Sequence, residues 1–341
     1  MRCEYITVGQ YGGREVLELR SRPADPPGPG EVLVRVQAAG VSFGDVLLRA
    51  GVIPVGPKPP YTPGFDITGV VETVGSGVAG FRPGQPVTAL VRSGGYAELA
   101  VVRADRLVAV PPGLDAVPVA AAVLNYFVAY QMLHRVAKVR PGQRVLVHGA
   151  AGGVGTALLQ LGRIAELDCY GTCSAPKQQI VTRLGGHAID YRHQDFLATV
   201  QALPGRGVDA VFDPVGGRNF RRSYRALRPG GMLVGYGQSE ALQDGRARRA
   251  VAVRGFVGGL LLPKLVPDRR ATTFYNAWSL EKKQPAAYRE DLGHLLDLLA
   301  AGQIEPVIAE TLPLAAAAKA HELLERAAVS GKIVLTCGNA R

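Results

Sequence analysis

Segments of strand-like and helix-like character alternate between residues 144 and 236. Short β-branched segments are predicted as strands at 144–148, 168–173, 187–190, 208–212 and 231–236. Helix-compatible segments lie between them at 153–165, 176–184, 194–202 and 217–227. Because such alternation produces a parallel sheet with helices on both faces, this region is predicted to be a doubly wound α/β domain.

The rest of the chain has a different pattern. Up to about residue 110 it consists of short β-branched segments broken by Gly and Pro, at 32–36, 68–74, 86–90 and 96–102. A helix-compatible apolar run follows at 117–136. Two amphipathic helices, 288–301 and 314–327, precede a closing strand at 332–336. Since 341 residues exceed what one ordinary core accommodates, we expect a β-rich domain in addition to the α/β domain.

The charge balance restricts the possible partners. The chain carries 39 Lys and Arg against 28 Asp and Glu, a formal net charge of +11. Such an excess suits nucleic acid, an anionic membrane surface or a phosphorylated cofactor. The arginine clusters at 218–228 and 246–254 lack the interleaved aromatic residues of a single-strand binding platform, which argues against a nucleic-acid partner.

Neither export nor membrane insertion is indicated. No charged-then-apolar signal opens the chain, and the longest apolar stretch, 118–130, is too short to cross a bilayer. We therefore expect a cytoplasmic protein. Cysteines at positions 3, 169, 173 and 337 have no ligand-type spacing, so neither a disulfide framework nor a zinc site is expected.

A glycine-rich segment joins the first strand of the alternating region to its first helix. The strand at 144–148 continues directly into the sequence GAAGGVG at 149–155. Gly152 lets the main chain approach a pyrophosphate, Gly155 lets helix and sheet pack closely, and the helix N-terminus offers amide hydrogens to phosphates. This setting between strand and helix predicts a dinucleotide site formed by Ala151, Gly152, Gly153, Val154 and Gly155.

The end of the second strand indicates which dinucleotide is bound. An NAD-specific site places a carboxylate there to bind the ribose hydroxyls. Here Ser174 and then Lys177 follow the strand, and Asp168 lies at its opposite end. A hydroxyl and a lysine suit a 2′-phosphate, so the sequence favours NADPH. The alternative is that Lys177 is only a solvated residue of the next helix.

Several segments, at 40–45, 63–66, 115–130, 148–155 and 213–217, resemble the quinone oxidoreductases of the medium-chain dehydrogenase/reductase superfamily in order and spacing. Asn125-Tyr126 and Gly235-Tyr236-Gly237 are most similar to its vesicle amine transport protein-like branch. The resemblance implies a GroES-like catalytic domain at 1–123, a Rossmann NADP(H)-binding domain at 124–276, and a segment at 277–341 that returns to the catalytic domain. The family's active site lies in the cleft between the domains.

The resemblance also assigns site residues. Tyr191 joins Ser174 and Lys177 at the adenosine phosphate, and the backbone of Gly235, Tyr236 and Gly237 faces the nicotinamide. Gly216 is a further cofactor-binding position. The predicted catalytic residues are Ser42 and Asp45, which orient substrate or ribose, Asn125 and Tyr126, which line the cleft, and Tyr61, which gives a proton. Solvent as the proton source, Asp45 as a helix cap and Tyr126 as a core residue are the alternatives.

Zinc is not expected. Zinc-dependent members of the superfamily carry a cysteine near position 42, Gly-His-Glu near position 65 and a four-cysteine lobe. This chain has Ser42, Gly64-Phe65-Asp66 and no cysteine between Cys3 and Cys169.

The predicted function is therefore NADPH-dependent reduction of quinones or α,β-unsaturated carbonyl compounds by hydride transfer. One rival is an enoyl-thioester or polyketide-tailoring reductase, for which the net charge would suit a phosphopantetheine arm. Another is a non-catalytic NADPH-binding interaction protein.

The resemblance also implies a homodimer, joined through a strand near 270–276. The segment 271–275 has β propensity and would otherwise leave an open sheet edge.

Overall fold

The computed structural model describes residues 1–53, 56–243 and 245–338, without the side chains of residues 281–283 and 285. The chain divides into two compact units. The mixed-sheet unit contains Met1–Phe127 and Arg289–Arg341, and the parallel-sheet unit contains Val128–Tyr288. The domain boundaries proposed from the sequence, after residues 123 and 276, lie a short way before these divisions.

The strands and helices are numbered in chain order. The strands are β1 (Arg2–Val8), β2 (Leu17–Pro23), β3 (Glu31–Val41), β4 (Asp66–Val74), β5 (Pro86–Leu90), β6 (Leu99–Arg103), β7 (Val108–Ala109), β8 (Arg144–His148), β9 (Asp168–Cys173), β10 (His187–Asp190), β11 (Val208–Asp213), β12 (Leu227–Gly235), β13 (Leu242–Gln243), β14 (Arg246–Ala247), β15 (Ala271–Phe274), β16 (Ile308–Pro313) and β17 (Lys332–Thr336). The helices are α1 (Phe43–Arg49), α2 (Ala116–Tyr130), α3 (Gly153–Ile164), α4 (Gln178–Arg183), α5 (Phe196–Gln201), α6 (Asn219–Ala226), α7 (Arg249–Phe256), α8 (Ala277–Lys283), α9 (Pro285–Ala300) and α10 (Ala317–Glu325).

The parallel-sheet unit is built on one sheet in the order β10-β9-β8-β11-β12-β15, with every neighbouring pair parallel. Leu146, Val211 and Leu233 are buried on adjacent strands and pack with Phe220 of α6 and with Phe196 of α5. Apolar strands flanked by amphipathic helices are what a doubly wound sheet requires. This arrangement confirms the predicted α/β fold.

The mixed-sheet unit contains a sheet in the order β16-β17-β3-β4-β5-β7, with β6 paired to β3, and a separate β1-β2 hairpin. On β3, alternate residues Val32, Val34 and Val36 are buried and pack with Ile67 and Val71 of β4. Such alternation directs one face of each strand to the core. Because β17 pairs antiparallel with β3, the C-terminal segment forms part of this sheet.

Several predicted elements have the expected bounds, and others do not. The strands at 144–148, 168–173, 187–190 and 332–336 are found as predicted. The strand predicted at 231–236 instead begins at Leu227, because a register shift opposite β11 accommodates Gly230, whose φ is +86°.

The expectation that the apolar run at 118–130 is too short to cross a bilayer was wrong about length. Helix α2 continues into a π-helical segment, Gln131–Ala137, so the whole helix has 22 residues and is long and apolar enough to span. However, 67% of its most apolar window is buried inside the protein. This burial is typical of the core helix of a soluble protein.

A buried ion pair joins three adjacent strands of the mixed sheet. The Asp66 carboxylate at the start of β4 accepts hydrogen bonds from Gly40 N on β3 at 2.5 Å and from Lys332 Nζ on β17 at 3.1 Å. Both charged side chains are at most 2% exposed. A Cβ at Gly40 would lie 2.3 Å from Lys332 Cε, so glycine provides the space for the pair.

We predict that Lys332→Met lowers the free energy of unfolding of this unit by about 3–5 kcal/mol, because Asp66 would remain as an uncompensated buried charge. Urea denaturation measures the change. The control is Lys319→Met, which removes a lysine paired at 3.6 Å with Glu310 at the surface, and is expected to change stability by at most about 1 kcal/mol. Equal effects of the two substitutions would contradict the prediction.

Candidate active site

The glycine-rich loop follows β8 and leads into α3, with Gly152 as the N-cap. A Cβ on Gly155 would lie 2.3 Å from Gly149 O and 2.6 Å from Ala150 Cα, so only glycine permits this close packing. Gly149 itself has φ +64°. Ala151 is buried, Gly152 is exposed and Gly153 and Val154 are half-buried.

The helix start provides the chemistry for an anion. Because the N-cap Gly152 has no side chain, no side-chain cap bonds the first amides of α3. These amides and the positive end of the helix dipole favour a phosphate at this position. The geometry therefore fits a pyrophosphate.

The residues predicted to bind the 2′-phosphate lie at the ends of two paired strands. Cys173 of β9 is opposite Asp190 of β10, and Tyr191 N donates to Cys173 O at 3.2 Å. Ser174 and Lys177, which follow β9, are half-buried, and Tyr191 is 53% exposed. Burial lowers the pKa of Lys177 from its ordinary value. The structure thus brings these three residues to one edge of the sheet.

Asp190 is a carboxylate at this edge that the sequence reading did not consider. It accepts hydrogen bonds from His193 Nδ1 at 2.7 Å and from Arg192 N at 3.0 Å, which lower its pKa. Each of its two oxygens therefore bonds a group within its own turn. Asp168 lies at the opposite end of β9, opposite Arg144 of β8.

A second loop at the same edge of the sheet is organised by Asp213, the last residue of β11. Its buried carboxylate accepts from Val215 N at 2.7 Å and from Gly216 N at 3.1 Å. Gly216 has φ +75°. The carboxylate also accepts from Asn219 Nδ2 at 2.9 Å. This carboxylate fixes the backbone on which the predicted cofactor residue Gly216 lies.

Glycines also bring the end of β12 close to this loop. A Cβ at Gly237 would lie 2.6 Å from Pro214 O, and one at Gly235 would lie 2.8 Å from the Phe220 ring. Tyr236 N donates to Asp213 O at 3.0 Å, and burial raises the pKa of the Tyr236 hydroxyl. Gly216 and 235–237 therefore form one continuous backbone surface.

Ser42 and Asp45 form a helix cap in the mixed-sheet unit. Ser42 Oγ accepts from Asp45 N at 3.2 Å, and Asp45 Oδ2 accepts from Ser42 N at 3.0 Å and from Ser42 Oγ at 2.8 Å. Asp45 Oδ1 accepts from Gly64 N at 2.9 Å. Burial raises the pKa of Asp45 to about 6, opposed by the hydrogen bonds from Ser42. Asp45 thus has the helix-capping role that was the alternative to substrate binding.

Tyr61 lies near Asp45 in an apolar cluster with Val8 and Leu48. Within the described residues, its buried hydroxyl has no hydrogen-bond partner. Burial, and next the nearby Asp45 carboxylate, raise the pKa of Tyr61. Asn125 and Tyr126 on α2 are also buried, 4% and 1% exposed.

Sequence reasoning missed one group beneath the two loops. His148 is 2% exposed and contacts the side chains of Thr172 and Ser223. Its spacing in the sequence gave no signal. In the described ranges, no group of three His, Cys, Asp or Glu residues could hold a metal ion.

We predict opposite effects of Gly→Ala in two helices. Gly155→Ala meets backbone atoms and should destabilise its unit by about 1–3 kcal/mol. Gly293→Ala in α9 meets nothing within 4 Å and should stabilise by about 0.5–1 kcal/mol. Unfolding midpoints of the two variants measure this difference, and a stabilised Gly155→Ala protein would show that the loop is not closely packed on α3.

Comparisons with known proteins agree with this architecture. Residues 28–112 match the alcohol dehydrogenase GroES-like domain family, and residues 184–335 match the zinc-binding dehydrogenase family. The synaptic vesicle membrane protein VAT-1 homolog of Rattus norvegicus is 35% identical, covering 99% of this chain and 84% of that protein. The 2-haloacrylate reductase of a Burkholderia species is 35% identical, covering 96% of this chain and 97% of that protein.

A solved structure has the same fold along nearly the whole chain. The Escherichia coli quinone oxidoreductase complexed with NADPH has a TM-score of 0.87 and 28% identity, covering 98% of this chain and 99% of that one. The predicted combination of a GroES-like domain and a Rossmann sheet is confirmed. With similarity along nearly its whole length, the chain belongs to the medium-chain dehydrogenase/reductase superfamily, in the branch that contains the quinone oxidoreductases and the VAT-1 proteins.

Proposed function

We propose that this protein is an NADPH-dependent reductase that acts in the cytoplasm on quinones or α,β-unsaturated carbonyl compounds without a metal ion. The observation that carries the proposal is the edge of the parallel sheet, where a glycine-rich helix start adjoins Ser174, Lys177 and Tyr191. A hydroxyl and a lysine in this position favour a 2′-phosphate over free ribose hydroxyls. The Escherichia coli relative solved with NADPH supports the same cofactor.

The chain's residues fit NADPH along its length. The amides at 152–155 would hold the pyrophosphate, and Ser174, Lys177 and Tyr191 would hold the adenosine phosphate. The backbone at Gly216 and at 235–237 would face the nicotinamide. A Cβ at Gly155, Gly235 or Gly237 would lie within 3 Å of a neighbouring protein atom, so these glycines let the cofactor loops pack closely on the sheet. When bound, NADPH supplies a hydride to the acceptor.

The side chains of the mixed-sheet unit would orient the substrate and supply a proton. Reduction of an enone needs a hydride at the β-carbon and one proton, and reduction of a quinone to a hydroquinone likewise needs one hydride and one proton. Tyr61 is the proposed donor, because its hydroxyl forms no hydrogen bond with any other described residue and would be free to bond the substrate. Ser42 and Asp45 would orient the substrate, and Asn125 and Tyr126 would line its binding site.

The proposed reaction without a Lewis acid would restrict the acceptor. Ser42 and Phe65 stand where zinc-dependent members carry ligands, so the proposed substrate would itself be electron-poor. The name of the 2-haloacrylate reductase relative describes such an acceptor, an alkene conjugated with a carboxylate.

The experiment that tests the proposal is anaerobic measurement of NADPH and NADH consumption with an ortho-quinone, a para-quinone, an enone and an enoyl-thioester. NADPH oxidation with a quinone or the enone, and much slower oxidation of NADH, is expected. Turnover of the thioester alone would favour the tailoring-reductase alternative. NADPH binding without turnover of any acceptor would favour a non-catalytic role.

The 2′-phosphate site gives a specific prediction. Lys177→Ala should raise the Kd for NADPH about tenfold, because one charge-assisted hydrogen bond is lost, and should leave the Kd for NADH unchanged. The control Arg163→Ala removes an exposed cation from the last turn of α3 and should change neither Kd. Equal weakening of NADPH and NADH by Lys177→Ala would contradict the assignment.

We also infer that two copies pair through β15. Among the described residues this strand ends the parallel sheet, so its outer backbone groups would be available to a further strand. Exposed apolar side chains adjoin it, with Leu265 80%, Val266 48% and Phe274 36% exposed. A second copy would cover both the backbone edge and this apolar surface.

The dimer prediction is testable by light scattering. The wild-type protein should have twice the chain mass of 36.0 kDa, and Leu265→Glu should shift it to the monomer because a charge would be buried at the interface. Leu19→Glu changes an apolar residue that is 42% exposed on β2 and should leave the dimer intact. A monomeric wild-type protein would rule out this pairing.

A further inference from the structure

A chain of buried hydrogen bonds connects the two loops of the parallel-sheet unit. Gly149 N lies 3.3 Å from Thr172 Oγ1, which lies 3.0 Å from His148 Nδ1. On the other side of the imidazole ring, His148 Nε2 lies 3.0 Å from Ser223 Oγ, which donates to Asp213 Oδ2 at 2.6 Å. The chain thus crosses the carboxyl ends of β9, β8 and β11.

The partners fix the direction of every bond in this chain. The Asp213 carboxylate only accepts, so Ser223 donates to it and in turn accepts from His148 Nε2–H. Burial lowers the pKa of His148, so the ring is neutral and Nδ1 accepts from the Thr172 hydroxyl. Thr172 Oγ1 accepts from Gly149 N–H. Each hydroxyl therefore donates one hydrogen bond and each ring nitrogen takes part in one, and all the bonds of the chain run in the same direction. Ser223 Oγ also accepts from Asn219 Nδ2 at 3.4 Å.

The two ends of the chain are the backbone segments that would hold the cofactor. Gly149 begins the glycine-rich loop, and its carbonyl oxygen is the atom against which Gly155 packs. Asp213 binds the amides of Val215 and Gly216 in the second loop. A change in the position of His148 would therefore move the supports of both loops.

Packing alone does not account for these polar groups. His148, Thr172, Ser223 and Asp213 are each at most 3% exposed, and Phe196 packs its ring at 4.6 Å from the imidazole. Burying polar groups costs free energy that apolar residues of similar volume would not cost. What a fully bonded polar chain adds is a defined geometry.

We propose that His148 is a positioning residue that holds both cofactor loops in one geometry, so that NADPH affinity depends on the chain from Thr172 to Asp213 as a unit. This inference rests on the proposed NADPH-binding function. It assigns to Thr172, His148 and Ser223 a role in cofactor affinity without contact with the cofactor.

The test is a double-mutant cycle on the Kd for NADPH, measured by titration calorimetry. Thr172→Val keeps the side-chain shape and Ser223→Ala removes one oxygen, so each breaks the chain at one end. Each single variant should raise the Kd about tenfold. The Kd of the double variant should not exceed that of the single variant with the larger effect, because the second substitution acts on a chain that the first has already broken. Thr172→Ser should recover most of the affinity lost in Thr172→Val.

A stability control separates positioning from general loosening. Leu227→Ala removes a buried residue of the hydrophobic cluster beside the sheet and should lower the unfolding midpoint while leaving the Kd unchanged. Independent effects of Thr172→Val and Ser223→Ala that multiply in the double variant would overturn the inference, as would wild-type affinity in both. A wild-type protein that does not bind NADPH would instead overturn the proposed function.

Discussion

In the parallel sheet, β8 lies between β9 and β11, and the connections that leave these strands at their carboxyl ends run to opposite sides. Such a divergence opens a crevice at the edge of a doubly wound sheet. The glycine-rich loop after β8, the Ser174 turn after β9 and the Asp213 loop after β11 all lie along this edge. The strand order therefore determines which distant segments can form one cofactor site, and each local feature only adapts its segment to that position.

Buried carboxylates have a common task in both units. Asp66 binds Gly40 N, Asp45 binds the amides of Ser42 and Gly64, and Asp213 binds those of Val215 and Gly216. Each therefore holds a loop or strand end by its backbone rather than by packing. Since backbone amides are obligatory donors, a buried carboxylate that satisfies two of them fixes a segment more closely than an apolar contact would.

The parts of the fold that were predictable depend on local signals. The bounds of β8, β9, β10 and β17 follow from short β-branched runs between turn residues, and the glycine-rich loop follows from its position between strand and helix. The capping role of Asp45 is also local, because Ser42-x-x-Asp45 is the pattern of a capping box. Contacts between distant residues were not predictable. His148 and Ser223 are 75 positions apart, and Asp66 and Lys332 are 266 apart, so nothing in either neighbourhood indicates the partner.

Transfer of a hydride from the cofactor to an electron-poor alkene is most directly measured with isotopically labelled NADPH. Two forms of NADPH would be used, each with deuterium in place of one of the two hydrogens on C4 of the nicotinamide. Each form would be incubated with the protein and a simple enone in ordinary water, and the product would be examined by mass spectrometry and NMR. A single deuterium at the β-carbon of the product, from only one of the two labelled forms, is the predicted result. A reduced product without deuterium from either form would contradict direct hydride transfer.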